Sequence, residues 1–196
     1  MIPMITINFI SVDMLVDKYK IERSDAVHIS LQSGGAYVSI MNDKIRAASA
    51  RICSSVNLDS IPNGYVIGIY TDIFSRDIFS EEEIASVIAH EEGHIVLGHV
   101  DAAFALNEKD MDTLDKPKVH LDMAQELEAD KYAARKIGAA HVLSAMLKIP
   151  TAMADFVIRE GIYRSREEIE AFLKENFNTL HAPRIIALER MISSGE

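Results

Sequence analysis

Cysteine is almost absent from this chain: its 196 residues carry one, Cys53. An internal disulfide is therefore excluded, and a lone thiol suits a reducing compartment. Cys53 reads as a small buried residue. Basic residues are also scarce, 20 Lys and Arg against 30 Asp and Glu, which leaves a net charge of −10. Nonspecific nucleic-acid binding depends on cationic contacts to phosphates, so this balance argues against a nucleic-acid partner and tips binding toward basic peptides. No helix-turn-helix pattern, basic patch, internal repeat or low-complexity tract stands out. The first ten residues lack the basic start and continuous apolar core of a secretory signal. The least polar long stretch, Ala139 to Ile158, is interrupted by His141, Lys148, Pro150 and Asp155 and is read as no membrane span. Together these absences lead to the expectation of a cytoplasmic protein. What remains, 48% hydrophobic and 26% charged residues, is enough for one globular domain over 1–196 with a real core.

The most telling feature present is His90-Glu91-Glu92-Gly93-His94, an HExxH motif in a helical setting. Residues four apart on an α-helix project from one face, so His90 and His94 can converge on one ion. Glu91 lies about 100° around the helix from His90 and about 60° from His94, near enough to act as general base on a metal-activated water without ligating the metal. Ser80 followed by Glu81, Glu82 and Glu83 reads as an N-cap with a capping box, so the helix starts there. From Ile84 to Gly98 apolar residues wrap most of its circumference, which predicts a helix buried on nearly all sides. Two histidines and a glutamate in such a place need a compensating partner, and Zn2+ supplies it.

Catalytic zinc usually takes three side chains and leaves a fourth position for water. His99, nine residues after His90, falls about 180° around a continued helix and is read as a helix-end residue pointing away from the metal. The better third ligand comes from Gln125-Glu126-Leu127-Glu128-Ala129-Asp130, which opens a second helix closing at Gly138. Glu126 and Asp130 share a face, so Glu126 can bind the metal while Asp130 accepts the second ring N–H of His90. Glu128 projects elsewhere and is read as solvated or paired with Lys131 or Arg135.

HExxH followed by a helix bearing Glu-x-x-x-Asp resembles the gluzincin zinc metallopeptidases, specifically the family of the prenyl-protein peptidases, HtpX-like proteases and their soluble relatives. Similar features are Gly98-His99, which complete a His-Glu-x-x-His-x-x-x-x-His pattern, and Asn57 followed by Pro62-Asn63-Gly64 ahead of the strand Tyr65–Tyr70. A third is His181-Ala182-Pro183-Arg184 introducing a short helix from Ile185 to Met191, although the family usually has His and Pro adjacent with the Arg several residues later. The resemblance covers roughly 55–190. It implies an α+β, mostly helical zincin-like domain with a small antiparallel sheet and a central buried HExxH helix. It also implies that His181, Arg184 or both face the active site, where they would stabilise an oxyanion.

The expected activity is a zinc-dependent endopeptidase acting on peptides or unfolded proteins, with His90, His94 and Glu126 as ligands and Glu91 as base. Strand Tyr65–Tyr70 would guide substrate along a free edge. One rival is a metal-binding regulator that keeps the site but cleaves little or nothing, as in phage-repressor-associated metallopeptidase-like proteins. A structural zinc domain is disfavoured because four protein ligands are not evident. Elsewhere, Asp13–Arg23 and Asn42–Ser54 look like amphipathic helices, with strands near 26–31 and 36–40 between them. Asn107–Lys118 is a polar connection between the two motif helices. Arg164–Lys174 is a solvated helix with a Ser165-x-x-Glu168 capping box. Met123, Met146, Met153 and Met191 are core filler.

Overall fold

The computed structural model describes residues 6–7, 10–21, 27–32, 48–52, 64–74, 78–109, 123–161 and 165–195. Cys53, Asn57, the Pro62-Asn63 turn, the strand expected at 36–40 and the connection beyond Lys109 lie outside these residues. Helices dominate what is described. In chain order the elements are β1 (Thr6–Ile7), β2 (Ile10–Ser11), α1 (Val12–Lys18), β3 (Val27–Gln32), β4 (Ala48–Ile52), β5 (Tyr65–Tyr70), α2 (Thr71–Phe74), α3 (Glu81–Val96), α4 (His99–Lys109), α5 (Met123–Ile137), α6 (Ala139–Arg159) and α7 (Arg166–Ser194).

β5 is the middle strand of a three-stranded sheet. It runs parallel to β3, from Val27↔Tyr65 to Gln32↔Tyr70, and antiparallel to β4, from Ala48↔Ile69 to Ile52↔Tyr65. The sheet is thus mixed, where an antiparallel one was expected. The return of the chain between β3 and β5 makes the parallel pairing feasible. Nor does β5 have a free edge for substrate, since both sides are paired along its length. Its run Val66-Ile67-Gly68-Ile69, buried throughout, is the unalternated pattern of a strand covered on both faces. β4 replaces part of the helix expected over Asn42–Ser54. Pairing with β5 there outweighs the helical preference of Ala48 and Ala50.

α3 is the central helix. Its start is fixed by a reciprocal capping box, with the Ser80 hydroxyl accepting from the Glu83 amide and the Glu83 carboxylate accepting from the Ser80 amide. Glu83 is buried as well, and Lys148 of α6 neutralises it at 2.7 Å. Ile84, Ile88 and Ile95 enter the main core with Ile67, Ile69, Phe74 and Met153. Ala89 faces a second cluster with Ala133, Val142, Met146, Phe177 and Leu188. Both clusters drain apolar surface into the contacts of α3 with α5, α6 and the sheet.

Three other expectations change. α1 ends at Lys18, with Lys20 at φ 50° turning the chain, rather than continuing to Arg23. The helices expected at Arg164–Lys174 and Ile185–Met191 are one: α7 starts on the Ser165–Glu168 capping box and runs through Pro183 to Ser194. Proline removes one helical N–H and crowds the preceding turn. Burial of Phe177 and Leu188 on either side, together with the contacts of Arg184 described below, holds the helix together across it. Finally, α6 is long and apolar enough to cross a membrane by length and composition, because Lys148 and Asp155 are its only ionic residues between 139 and 158. Its Val142, Ala145, Met146, Met153 and Phe156 are covered by the rest of the protein.

Candidate metal centre

His90 and His94 sit one turn apart on α3, and Glu126 reaches them from the first turn of α5. The close approach of the two helices depends on small residues. A Cβ at Gly93 would lie 3.2 Å from the Ala129 Cα and the Tyr132 Cβ, so glycine is what lets α5 settle against the motif turn. Ala89, Ala129 and Ala133, all fully buried, extend that seam.

The result is a convergence of donor atoms. Nε2 of His90 is 3.1 Å from Nε2 of His94 and 3.3 Å from Glu126 Oε2, and Nε2 of His94 is 3.6 Å from Glu126 Oε1. One ligand atom from each of the three residues lies within 4.8 Å of the others. A tetrahedral zinc with bonds of about 2.0–2.1 Å spaces its ligand atoms by roughly 3.3 Å, so this donor set fits the ion in both chemistry and size. His90 is partly buried and His94 is 2% exposed.

Behind these donors stands a charged layer. Asp130, one turn after Glu126 and 2% exposed, places Oδ1 2.9 Å from His90 Nδ1. The approach is close but off the N–H axis, an ionic contact more than an aligned hydrogen bond. Arg184, from the far half of α7, donates from Nε and Nη2 to the two Asp130 oxygens at 2.6 and 2.7 Å. Its Nη1 lies 2.7 Å from Glu126 Oε2. The same Nη1 is 3.1 Å from His181 Nδ1, one turn earlier on α7, whose ring rests against Phe177.

The electrostatics follow from this layout. Burial disfavours a charged His90, but the carboxylates of Asp130 and Glu126 outweigh it and hold the ring up at about 9. His94 is pushed down to about 3 by burial and by the neighbouring charge of His90, so the pair carries one positive charge, on His90. Burial opposes ionisation of Glu126 and Asp130, yet Arg184 and His90 win: Glu126 is held far below the usual carboxylate range and Asp130 at about 2. His181 is lowered to about 4 by burial and by Arg184, and is neutral. With Nδ1 accepting from Arg184, its remaining proton is on Nε2. Glu91 follows His90 on α3, partly buried, and Arg184 feels its charge.

All the sequence-derived site residues therefore come from three helices to one locality. Arg184 differs from its expected place: its N–H groups are directed at two carboxylates. His99 differs more. Gly98, at φ 74°, ends α3, and the chain folds back into α4. His99 is buried, with Nδ1 3.0 Å from His94 Nδ1 and Nε2 3.0 Å from Glu128 Oε2. Extrapolating the angle of a continued helix fails because the helix stops before His99. The signal was present in Gly98, a residue that readily takes the left-handed conformation ending helices. Glu128 is largely exposed, as the solvated reading expected, and it meets His99 where Lys131 or Arg135 was the alternative.

Residues 54–110 match the model of peptidase family M48. The matched segment holds β5, α3 and α4, and hence both histidines of the motif and Glu91, but stops short of Glu126, Asp130, His181 and Arg184. It supports a metal-dependent peptidase at family level. No curated protein and no solved structure matches the chain.

Proposed function

We propose that this protein is a zinc endopeptidase in which His90, His94 and Glu126 bind the metal and Glu91 is the general base. The observation that carries the reading is the convergence of the two Nε2 atoms and the Glu126 carboxylate at spacings that suit tetrahedral zinc. The family match over 54–110 agrees with it. When bound, zinc supplies a Lewis acid that polarises the scissile carbonyl and lowers the pKa of water to about 7.

The remaining work belongs to the chain. Glu91 accepts the proton of the attacking water and returns it to the leaving amine. Asp130 orients His90 from behind. Arg184 keeps Glu126 and Asp130 ionised and fixed, so Glu126 presents its carboxylate to the histidines in one orientation. His181, neutral and with its Nε2 proton free to donate, suits the expected oxyanion role better than Arg184, whose donors are engaged. Among the described residues β4 lies at the sheet edge and packs against α3, which makes it, in place of β5, the strand suited to pair with an extended peptide. The soluble prenyl-peptidase-like and HtpX-like affinity and the cytoplasmic setting belong to the same proposal.

The test is zinc stoichiometry and hydrolysis of casein by wild type and Glu91→Gln. Hydrolysis by the wild type and a zinc-loaded, inert variant are expected. Equal cleavage by both overturns the assignment of the base, and bound zinc without turnover on any peptide substrate favours the regulatory reading.

A further inference from the structure

A ligand histidine must present a lone pair to the metal, so the proton of its neutral ring has to sit on the other nitrogen, and something must hold it there. For His90 the group on that side is the Asp130 carboxylate, whose charge lies 2.9 Å from Nδ1 and favours a proton there. His94 has no carboxylate behind it. Its Nδ1 instead faces Nδ1 of His99 at 3.0 Å, and both rings are buried, at 2% and 5% exposure. Two like atoms facing each other at this distance require one to donate and the other to accept.

The far end of the chain settles which. Nε2 of His99 is 3.0 Å from Glu128 Oε2. An ionised carboxylate can only accept, so a neutral His99 carries its proton on Nε2 and leaves Nδ1 as a lone pair. His94 must then donate from Nδ1, and its Nε2 lone pair is turned toward His90 and Glu126. With His99 neutral, one arrangement of protons satisfies every contact from Glu128 through His99 to His94, and it is the arrangement a ligand histidine needs. Gly98 makes it possible by returning the chain at φ 74°, and Tyr65 holds the returning helix by donating to Asp101 at 2.8 Å.

We propose that His99 and Glu128 are positioning residues that fix the tautomer and ring orientation of His94 for metal binding. This rests on the reading of His94 as a ligand. Neither residue touches the reacting atoms. Their effect passes through His94 alone, in the way Asp130 acts through His90. α5 thus serves both histidines: Glu126 and Asp130 face His90 and the donor cluster, while Glu128, on another side of the same first turns, reaches His94 through His99.

The experiment uses the full chain and two readouts. Zinc affinity is measured by competition with a chromophoric chelator for wild type, His99→Leu, His99→Asn and Glu128→Leu, with the fold of each followed by circular dichroism in chelator. His99→Leu keeps apolar bulk without an acceptor and should weaken zinc binding about 10- to 100-fold. His99→Asn restores a carbonyl near the position of Nδ1 and should recover most of that loss, which a purely space-filling role for His99 would not predict. Glu128→Leu should fall between wild type and His99→Leu, because Glu128 is partly solvated. Independently, nitrogen NMR of the metal-free wild type with labelled histidines should show His94 protonated on Nδ1 at neutral pH. Wild-type affinity in a folded His99→Leu, or His94 protonated on Nε2 in the wild type, overturns the relay. If His99→Leu does not fold, the NMR measurement on the wild type decides. If the wild type binds no zinc, the metal centre itself falls, and the tautomer in the metal-free protein still decides whether the relay exists.

Discussion

Replacing Arg184 by methionine tests the charged layer behind the metal centre. The residue is 9% exposed and holds Asp130, itself 2% exposed, through two contacts of 2.6 and 2.7 Å, and Glu126 through a third of 2.7 Å. Removing one partner of a buried ion pair costs about 3–5 kcal/mol, because the other charge stays buried without compensation. Here the loss should sit at the low end, about 3 kcal/mol at pH 7 in metal-free protein. His90, held up at about 9, is still positive there and remains 2.9 Å from Asp130. In a chain of this size that lowers Tm by roughly 6–12 °C. Urea unfolding in the presence of a chelator measures it. Adding Asp130→Asn to Arg184→Met removes the stranded charge and should recover part of the loss, giving a coupling of about 1.5 kcal/mol or more in the double-mutant cycle. The acid limb carries a second signature. Asp130 is depressed to about 2, so its contribution is complete above the ordinary carboxylate range and fades as pH falls toward 2. Arg184→Met should flatten that limb. An Arg184→Met protein within about 0.5 kcal/mol of wild type, or the absence of coupling to Asp130, refutes the reasoning.

Other outcomes follow from the same geometry. Gly93→Ala places a methyl 3.2 Å from the Ala129 backbone and Tyr132, so α5 must shift by a few tenths of an ångström. Overpacking of about 1–3 kcal/mol outweighs the helical gain of about 1 kcal/mol, and zinc affinity, read by chelator competition, should fall more steeply than thermal stability. His90 must lose its proton to bind metal, so zinc affinity should climb from neutral pH up to about 9 and level off beyond it. In metal-free protein the sign reverses: the charged His90 stabilises fully below its ordinary pKa, and that contribution is lost as pH rises through about 9, visible as a falling Tm. Zinc in excess should raise the wild-type Tm and leave that of His90→Ala unmoved. Pro183→Ala restores a helical N–H in the middle of α7 at an exposed position and should stabilise the protein by about 1–3 kcal/mol without changing zinc affinity.

The parts of this molecule legible in its sequence are those governed by short-range rules. Ser80 and Ser165 each sit three residues before a glutamate, and both helices start where the capping box puts them. His90 and His94, Glu126 and Asp130 are pairs one turn apart inside uninterrupted helices, so helical geometry alone faces them correctly. Rules that need the third dimension gave less. The strand Tyr65–Tyr70 was visible as an apolar run, but its partners were not, and its central position removes the free edge expected of it. Ala48–Ile52 looked helical in isolation because pairing with β5 is what decides its conformation.

His99 shows how a local rule misleads when applied across a break. Counting 100° per residue sends it away from the metal, and that count holds only while the backbone stays helical. Gly98 ends the helix, and the next residue comes to rest behind His94, against its Nδ1 and outside the donor group, so its exclusion as a ligand stands although the continued helix that was the reason for it does not. Arg184 teaches the complementary lesson. A proline one residue before it argues for a helix boundary, yet α7 continues, because Asp130 and Glu126 anchor the guanidinium on the far side of Pro183. The interactions that assemble this centre therefore overrule local helix preference at both positions: at His99 by exploiting a break in the helix, and at Arg184 by tolerating a breaker within one. The residues that hold the ligands are in this way more sensitive to the long-range fold than the ligands themselves.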